Sequence, residues 1–386
     1  MMNVSDKIKY VGVDDLDIDL FESQYVVPEG MSYNSYVILD EKTAVMDTVD
    51  ARKTDEWINN VKVALGGKNL DYIVCLHMEP DHAGSMMKAM ETFPTAKVVG
   101  NAKTFTYMAQ FFDVNLEGRK VEVKDGESLS LGEHNLTFVC APMVHWPEVM
   151  VAYESSEKVL FAADAFGKFG AISKYDGDWA CEARRYYFNI CGKYGVQVQS
   201  LLKKAAALDI KTIAPLHGPV LKENLGYYLD LYNTWSSYGV ESEGVLVAFA
   251  SIHGNTRKAA EKIASILEKQ GAKKVVVSDL SRDDEAEVIE DAFRYGRMII
   301  AAPTYDGGLF PPMESFLSHL KSKNYQKRTV GIIENGTWAP MSGKLMKAAL
   351  ESMKEIKICD TVVTIKSALK AEQEDSLVAL AKEVLA

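Results

Sequence analysis

No two cysteines in this 386-residue chain stand in a C-x-x-C pair; the five, Cys75, Cys140, Cys181, Cys191 and Cys359, are scattered. Such spacing indicates neither a thiolate metal site nor a disulfide framework, so buried, reduced thiols are expected. Surplus positive charge is lacking too. A formal charge of −11 would repel backbone phosphates, and no nucleic-acid partner is expected. No apolar run is long enough to span a bilayer, and the opening MMNVSDKIKY has neither a long apolar core nor a small-residue cleavage site. A cytoplasmic protein without a membrane partner is therefore expected. Tandem repeats and low-complexity tracts are also absent. What is present is the composition of a folded protein, 47% apolar and 25% charged, at a length that favours two domains.

The two halves have different rhythms. From Ile8 to about Ala163 come short β-type runs such as SYVILD, TAVMDT, DYIVCL, KVVG, LTFVCA, VMVAYE and KVLFAA. Helical spacing is interleaved irregularly at 51–64, 85–91, 104–111, 196–208 and 220–238. This pattern predicts two mixed sheets with helices outside. After Tyr238 the alternation becomes strict. GVLVAFA, KKVVVSD, RMIIAAP, RTVGIIE and DTVVTI alternate with helical stretches at 255–269, 284–295, 313–321, 342–353 and 372–385. Strands alternating with helices in this way predict a parallel doubly wound sheet. The boundary is expected at the polar turn 239–243, giving domains of 1–240 and 241–386. Residues 241–386 carry 20 basic and 21 acidic side chains, so the acidity belongs to the first domain.

That acidic half holds LHMEPDHAGSM. DYIVCL is a good strand, and Pro80 is expected to break any ladder or helix just beyond it, placing His77, Glu79, Asp81 and His82 on a loop before a helix near 83–85. A lone His or Asp in such a loop is usually a solvated side chain; four ligand types at H-x-E-x-D-H spacing are not. His145 follows the strand LTFVCA, Asp164 follows KVLFAA and His217 follows TIA. Side chains just past several strands of one architecture can converge on a shared metal site.

The set resembles the metallo-β-lactamase fold, and within it the flavodiiron branch. Hydrolase members carry H-x-H-x-D-H, whereas Glu79 stands here at the second histidine. A carboxylate makes the site harder and more anionic, and better suited to iron passing between Fe(II) and Fe(III). The resemblance implies an α+β αββα sandwich in which His77, Glu79 and His145 bind one iron, Asp81 and His217 bind the other, and Asp164 bridges them. His82 is a further ligand, although in some members the equivalent histidine turns away and water replaces it.

A second site follows GVLVAFA, where Ser251, Ile252, His253, Gly254, Asn255 and Thr256 lead into a helix. Hydroxyls and free N–H groups at a helix start make an anion cradle. No G-K-[ST] ending is present, so this is not a Walker loop. AAPTYDGGLFP and IIENGTWAP also follow strands and pair turn residues with Tyr305 and Trp338, aromatic faces suited to a flat ring. The combination resembles flavodoxin, which implies an α/β doubly wound domain holding FMN. Residues 251–256 would hold its phosphate. Pro303, Thr304, Tyr305, Asp306 and Gly307, with Asn335, Gly336, Thr337, Trp338 and Ala339, would surround its ring. His134 and His319, in no motif, are expected at the surface, and the cysteines in the core.

A hydrolase needs no flavin and a flavodoxin needs no metals. Their union implies electron flow from flavin to a redox-active metal. The flavodiiron resemblance extends over nearly the whole chain, including EARRYYFNI and PTYDGGLFPP, and implies reduction of O2 to water, of NO to N2O, or both, at a non-haem diiron site fed by FMN. It further implies a head-to-tail homodimer, or a dimer of dimers, in which each FMN lies beside the partner's irons. The implied donor is an external redox protein such as rubredoxin, or reduced F420 in a methanogen. Some members place a histidine near the iron pocket where this chain has Gln24 and Tyr25, which leaves the preference between O2 and NO open. Two alternatives stand: a zinc-dependent hydrolase with an accessory flavodoxin-like domain, and an electron carrier whose first half serves only for docking.

Overall fold

The computed structural model describes residues 4–175 and 177–386. They form two compact units: the chain up to Tyr187 with Val196–Asn233, and Phe188–Gly195 with Thr234–Ala386. Phe188 joins the second unit because it stacks on Phe293, with ring centroids 4.3 Å apart at 13°. Beside it, Asn189 Nδ2 donates to Ala286 O at 3.1 Å and Tyr238 Oη donates to Gly192 O at 2.9 Å.

The first unit contains the two expected mixed sheets. One has six strands in the order Ile8–Tyr10, Tyr36–Ile38, Ala44–Met46, Tyr72–Val74, Lys97–Gly100 and Lys120–Glu122. The other has five, in the order Ser128–Ser130, Asn135–Cys140, Met150–Glu154, Val159–Phe161 and Thr212–Ala214. Tyr36–Ile38 and Ala44–Met46 are buried at every position, which explains their unbroken apolar runs: both faces are covered. Asn135–Cys140 alternates instead, with Leu136 and Phe138 fully inside. Helix Thr54–Leu65 turns Trp57, Ile58, Val61 and Leu65 inward, the spacing of one helical face, and stops where Gly66 takes φ +57°.

Pro80 behaves differently from the expectation. It opens a one-turn helix, Pro80–Ala83, so Asp81 and His82 sit on a helical turn rather than a loop. The physical reason is positional: the first residue of a helix needs no N–H, and the ring fixes φ at a helical value. Helix Ala180–Ile190 was not anticipated from its spacing. Arg184 and Arg185 are buried at its centre, so polar residues occupy positions that periodicity assigns to apolar ones. His134 is buried as well, against expectation, because Nδ1 lies 2.8 Å from Asp40 Oδ2 and Nε2 lies 3.2 Å from Glu157 Oε1. His319 is half exposed and pairs with Glu285. Cys75, Cys191 and Cys359 are core residues; Cys140 is only partly covered, and Cys181 is exposed near the start of its helix.

The second unit is the expected parallel sheet, ordered Val275–Asp279, Ser242–Phe249, Tyr295–Tyr305, Thr329–Asn335 and Lys357–Ile365, with Gly308–Leu309 pairing back on the third. Val245, Val247 and Phe249 face one side at period two. They meet Ala259, Ala260, Ile263 and Leu267 of helix Asn255–Lys269 and Leu377, Leu380, Ala381 and Val384 of helix Glu374–Leu385. Gly331 lets that last helix close on the sheet: a Cβ there would lie 2.9 Å from Leu380 Cδ1 and 3.0 Å from Val384 Cγ2. All five strands end at one edge, where ligands of such sheets bind. Among the described residues of the chain, no helix is long and apolar enough to cross a membrane.

Candidate functional site

Seven side chains converge in the first unit. His77 and Glu79 follow strand Tyr72–Val74, Asp81 and His82 ride the turn Pro80–Ala83, and His145, Asp164 and His217 come from loops after three strands of the second sheet. They fall into two groups, His77, Glu79, His145 and Asp164, and Asp81, His82 and His217, with the ligand-type atoms of each group within 4.8 Å of one another. In the first, His77 Nε2 is 3.2 Å from Glu79 Oε2 and 3.3 Å from Asp164 Oδ2, and His145 Nε2 is 2.9 Å and 3.2 Å from the same two atoms. In the second, Asp81 Oδ2 lies 3.3 Å from both His82 Nε2 and His217 Nε2. Asp164 Oδ1 is 3.1 Å from His82 Nε2 and 3.5 Å from His217 Nε2. Asp164 therefore offers one oxygen to each group.

The arrangement fits two cations. Asp81 Oδ1, Asp81 Oδ2 and His217 Nε2 are buried with no hydrogen-bond partner among the described residues. A buried polar atom left so costs ~1–3 kcal/mol, and lone pairs aimed at a common point suit a metal ion. The charges agree. Burial pushes the Asp81 carboxyl up to about 7, with His82 opposing and Glu79 adding to the rise. Burial also works against ionised Glu79 and Asp164, yet the facing imidazoles outweigh it and hold both below the usual carboxylate range. The same acids overcome burial at His145 and raise it to about 9. Glu79 and Asp164 thus draw positive charge onto the His77 and His145 imidazoles, whereas burial lowers the pKa of His217. Aromatic walls enclose the cluster: Phe21 and Tyr186 each lie 5.5 Å from the His217 ring, and Trp146 lies 5.3 Å from that of His77.

Three supporting residues escaped the sequence reading. Asp47, at φ +53°, accepts from Leu76 N at 2.7 Å and His77 N at 3.3 Å, which fixes the strand's exit. Glu148 Oε1 lies 2.7 Å from His77 Nδ1. Glu22 reaches the cluster electrostatically while keeping contact with solvent; the protein around its carboxyl and the charge of Glu79 push it up to about 7. Its neighbours from the expected pocket segment are placed otherwise. Gln24 Nε2 donates to Glu22 Oε2 at 3.0 Å, and Tyr25 is buried against Phe169. A lone carboxylate has no spacing signature; the only sequence signal for Glu148 is its place three positions after His145.

In the second unit the three expected loops lie at the carboxyl ends of adjacent strands. Helix Asn255–Lys269 starts behind Gly254, at φ +84°, with no side chain capping it, which leaves its first N–H groups to an anion. Ser251 Oγ accepts from Gly254 N at 3.1 Å, shaping the turn; Ile252 and His253 are exposed, and Thr256 is buried. Tyr305 and Trp338 stand 45% and 90% exposed, Tyr305 meeting Phe310 edge-on with ring centroids 5.6 Å apart, while Asp306, Gly307, Thr337 and Ala339 are exposed beside them. Pro303 and Asn335 are buried. Asn335 Nδ2 donates to Ser367 O at 2.9 Å and Thr256 Oγ1 at 3.3 Å, and Thr304 Oγ1 accepts from Met341 N at 2.8 Å. Asn335 and Thr304 thus tie the loops to one another, with Gly336 packed close to Pro340.

Comparison with known proteins supplies the lineage. Residues 31–218 match a family model described as ODP family beta lactamase, and residues 246–363 match one described as flavodoxin domain. The chain is 30% identical over 325 residues to an uncharacterised protein of Methanocaldococcus jannaschii, covering 83% of this chain and 81% of the relative. It is 29% identical over a 393-residue alignment to a nitric oxide reductase of Moorella thermoacetica, covering 99% and 98%. Among solved structures, the rubredoxin oxygen:oxidoreductase of Desulfovibrio gigas superposes with a TM-score of 0.92 at 25% identity, covering 99% of this chain and 97% of that one. The metallo-β-lactamase-like domain followed by a flavodoxin-like domain is the expected fold. With this domain order and these relatives, the chain belongs to the flavodiiron family of oxidoreductases.

Proposed function

We propose that the seven convergent side chains hold two iron ions, that the strand-end loops hold FMN, and that the chain reduces O2 to water, NO to N2O, or both. The carrying observation is Asp164, whose two oxygens face two separate ligand groups. Glu79 supports iron over zinc, since it replaces an imidazole by a hard anionic donor. When bound, the iron pair supplies electrons and adjacent binding positions for a diatomic molecule, and FMN renews the electrons.

The chain's residues supply the setting. Phe21, Tyr33, Tyr186 and Trp146 exclude bulk water from the cluster, which strengthens every charge interaction inside it. Glu22, at about pKa 7, is placed to exchange a proton with solvent beside Glu79. In the second unit, the uncapped helix start and the loops carrying Tyr305 and Trp338 would seat phosphate and ring. The assembly we propose is the head-to-tail homodimer of the family, or a dimer of such dimers. The electron donor we propose is a rubredoxin-type protein, as the name of the D. gigas relative records for that protein, with reduced F420 as the other donor class.

The test is steady-state turnover of FMN-loaded protein carrying either iron or zinc. The iron form should consume O2 or NO with reduced rubredoxin as donor, and the zinc form should not. Hydrolysis of a thioester or lactam by the zinc form, with no gas consumed by the iron form, would establish the hydrolase instead.

A further inference from the structure

We propose that Glu148 is a positioning residue for His77, and that it strengthens one metal position while leaving the other without such support. The inference rests on the dinuclear reading above. Glu148 sits between His145 and strand Met150–Glu154, with its side chain fully buried. Oε1 lies 2.7 Å from His77 Nδ1 and accepts from Met78 N at 2.9 Å. Its own carbonyl accepts from Asn101 Nδ2 at 2.6 Å, which anchors the loop. An ionised carboxylate only accepts, so His77 must carry its proton on Nδ1. With a metal bound, Nε2 would then offer its lone pair on the side that faces Glu79, His145 and Asp164. Glu148 thus joins the loop bearing His145 to the loop bearing His77 and adds a buried negative charge behind the latter.

Among the described residues, the second group has no counterpart. His217 Nδ1 donates to a neutral acceptor, Ser32 O, at 2.8 Å. His82 Nδ1 is buried with no hydrogen-bond partner among the described residues. Carboxylate support of a metal-binding imidazole raises its basicity and fixes its ring, and its loss typically weakens metal binding about 10–100-fold. Among the described residues, that support is present at one position only.

The experiment is anaerobic competition of the full-length protein, loaded with Fe(II) and FMN, against a ferrous chelator. Wild type should give up two irons per chain in two resolved steps. Glu148→Ala should weaken the tighter step by about 10–100-fold and spare the other. Glu148→Gln, which still accepts from His77 and Met78 but carries no charge, should fall between, and the midpoint potential of the affected iron should rise in both variants. A purely structural role predicts instead that both steps weaken together, with a lower melting temperature in the chelated protein and full rescue by Glu148→Gln. That result, or unchanged binding in Glu148→Gln, overturns the proposal. If wild type itself binds fewer than two irons, the dinuclear reading fails and this inference falls with it, an outcome distinct from the first two.

Discussion

At the scale of single residues, Asp164 is the hinge of the account, because one buried carboxylate faces both ligand groups. Asp164→Ala should therefore strip both metals rather than one, and metal analysis after anaerobic iron loading checks this. Loss of a single ion would show that the groups are independent. His134 gives a second prediction, far from any ligand. Burial would lower its pKa, but Asp40 and Glu157 outweigh burial and raise it; for Asp40, the bonds from His134 outweigh burial and hold it at about 2. The folded protein keeps the His134 proton to higher pH than the unfolded chain does. Its contribution is complete below about pH 6.5 and fades as pH climbs through the raised value. The Asp40 contribution is complete above about pH 4 and fades toward 2. His134→Gln should thus cost more melting temperature near pH 6 than at pH 9; an equal loss at both would contradict the pairing. The gathering of seven side chains was legible because each follows a strand or shares the H-x-E-x-D-H run. Glu148 and Asp47 were not, since each meets the cluster only through another residue's N–H group. His134 misled because a partnered imidazole leaves no mark that distinguishes it from a solvated one.

Elements carry the next level. In the second unit, strand and helix boundaries were legible to within a few residues, because the strands centre on apolar runs that alternate with helical stretches. Helix Asn255–Lys269 begins at the turn that its G-N-T start marks. In the first unit the sequence marks Pro80 as a breaker, although at the first helical position it is a starter. Helix Ala180–Ile190 was hidden by its buried arginines. Gly331 tests the helix-to-sheet fit directly. Gly331→Val would drive a side chain into Leu380 and Val384 and should cost about 1–3 kcal/mol, read by denaturant unfolding. Unchanged stability would mean that helix Glu374–Leu385 is free to move outward.

On the proposed function, electrons pass from the ligand of one unit to that of the other, and the proposed head-to-tail dimer makes this a transfer between chains. Coexpressing His77→Ala with a variant unable to retain FMN, such as Trp338→Ala combined with Tyr305→Ala, tests the arrangement. Mixed dimers should recover part of the gas-reducing activity that each variant lacks alone, because an intact flavin then faces an intact metal group across the interface. No recovery in isolated mixed dimers would place transfer within one chain. The most direct measurement is stopped-flow mixing of the anaerobically reduced, iron- and FMN-loaded protein with O2 and, separately, with NO, following flavin reoxidation. Rapid reoxidation with at least one gas, abolished in His77→Ala that still binds FMN, is the expected result. Reoxidation at the same rate with and without the metal cluster would contradict the account.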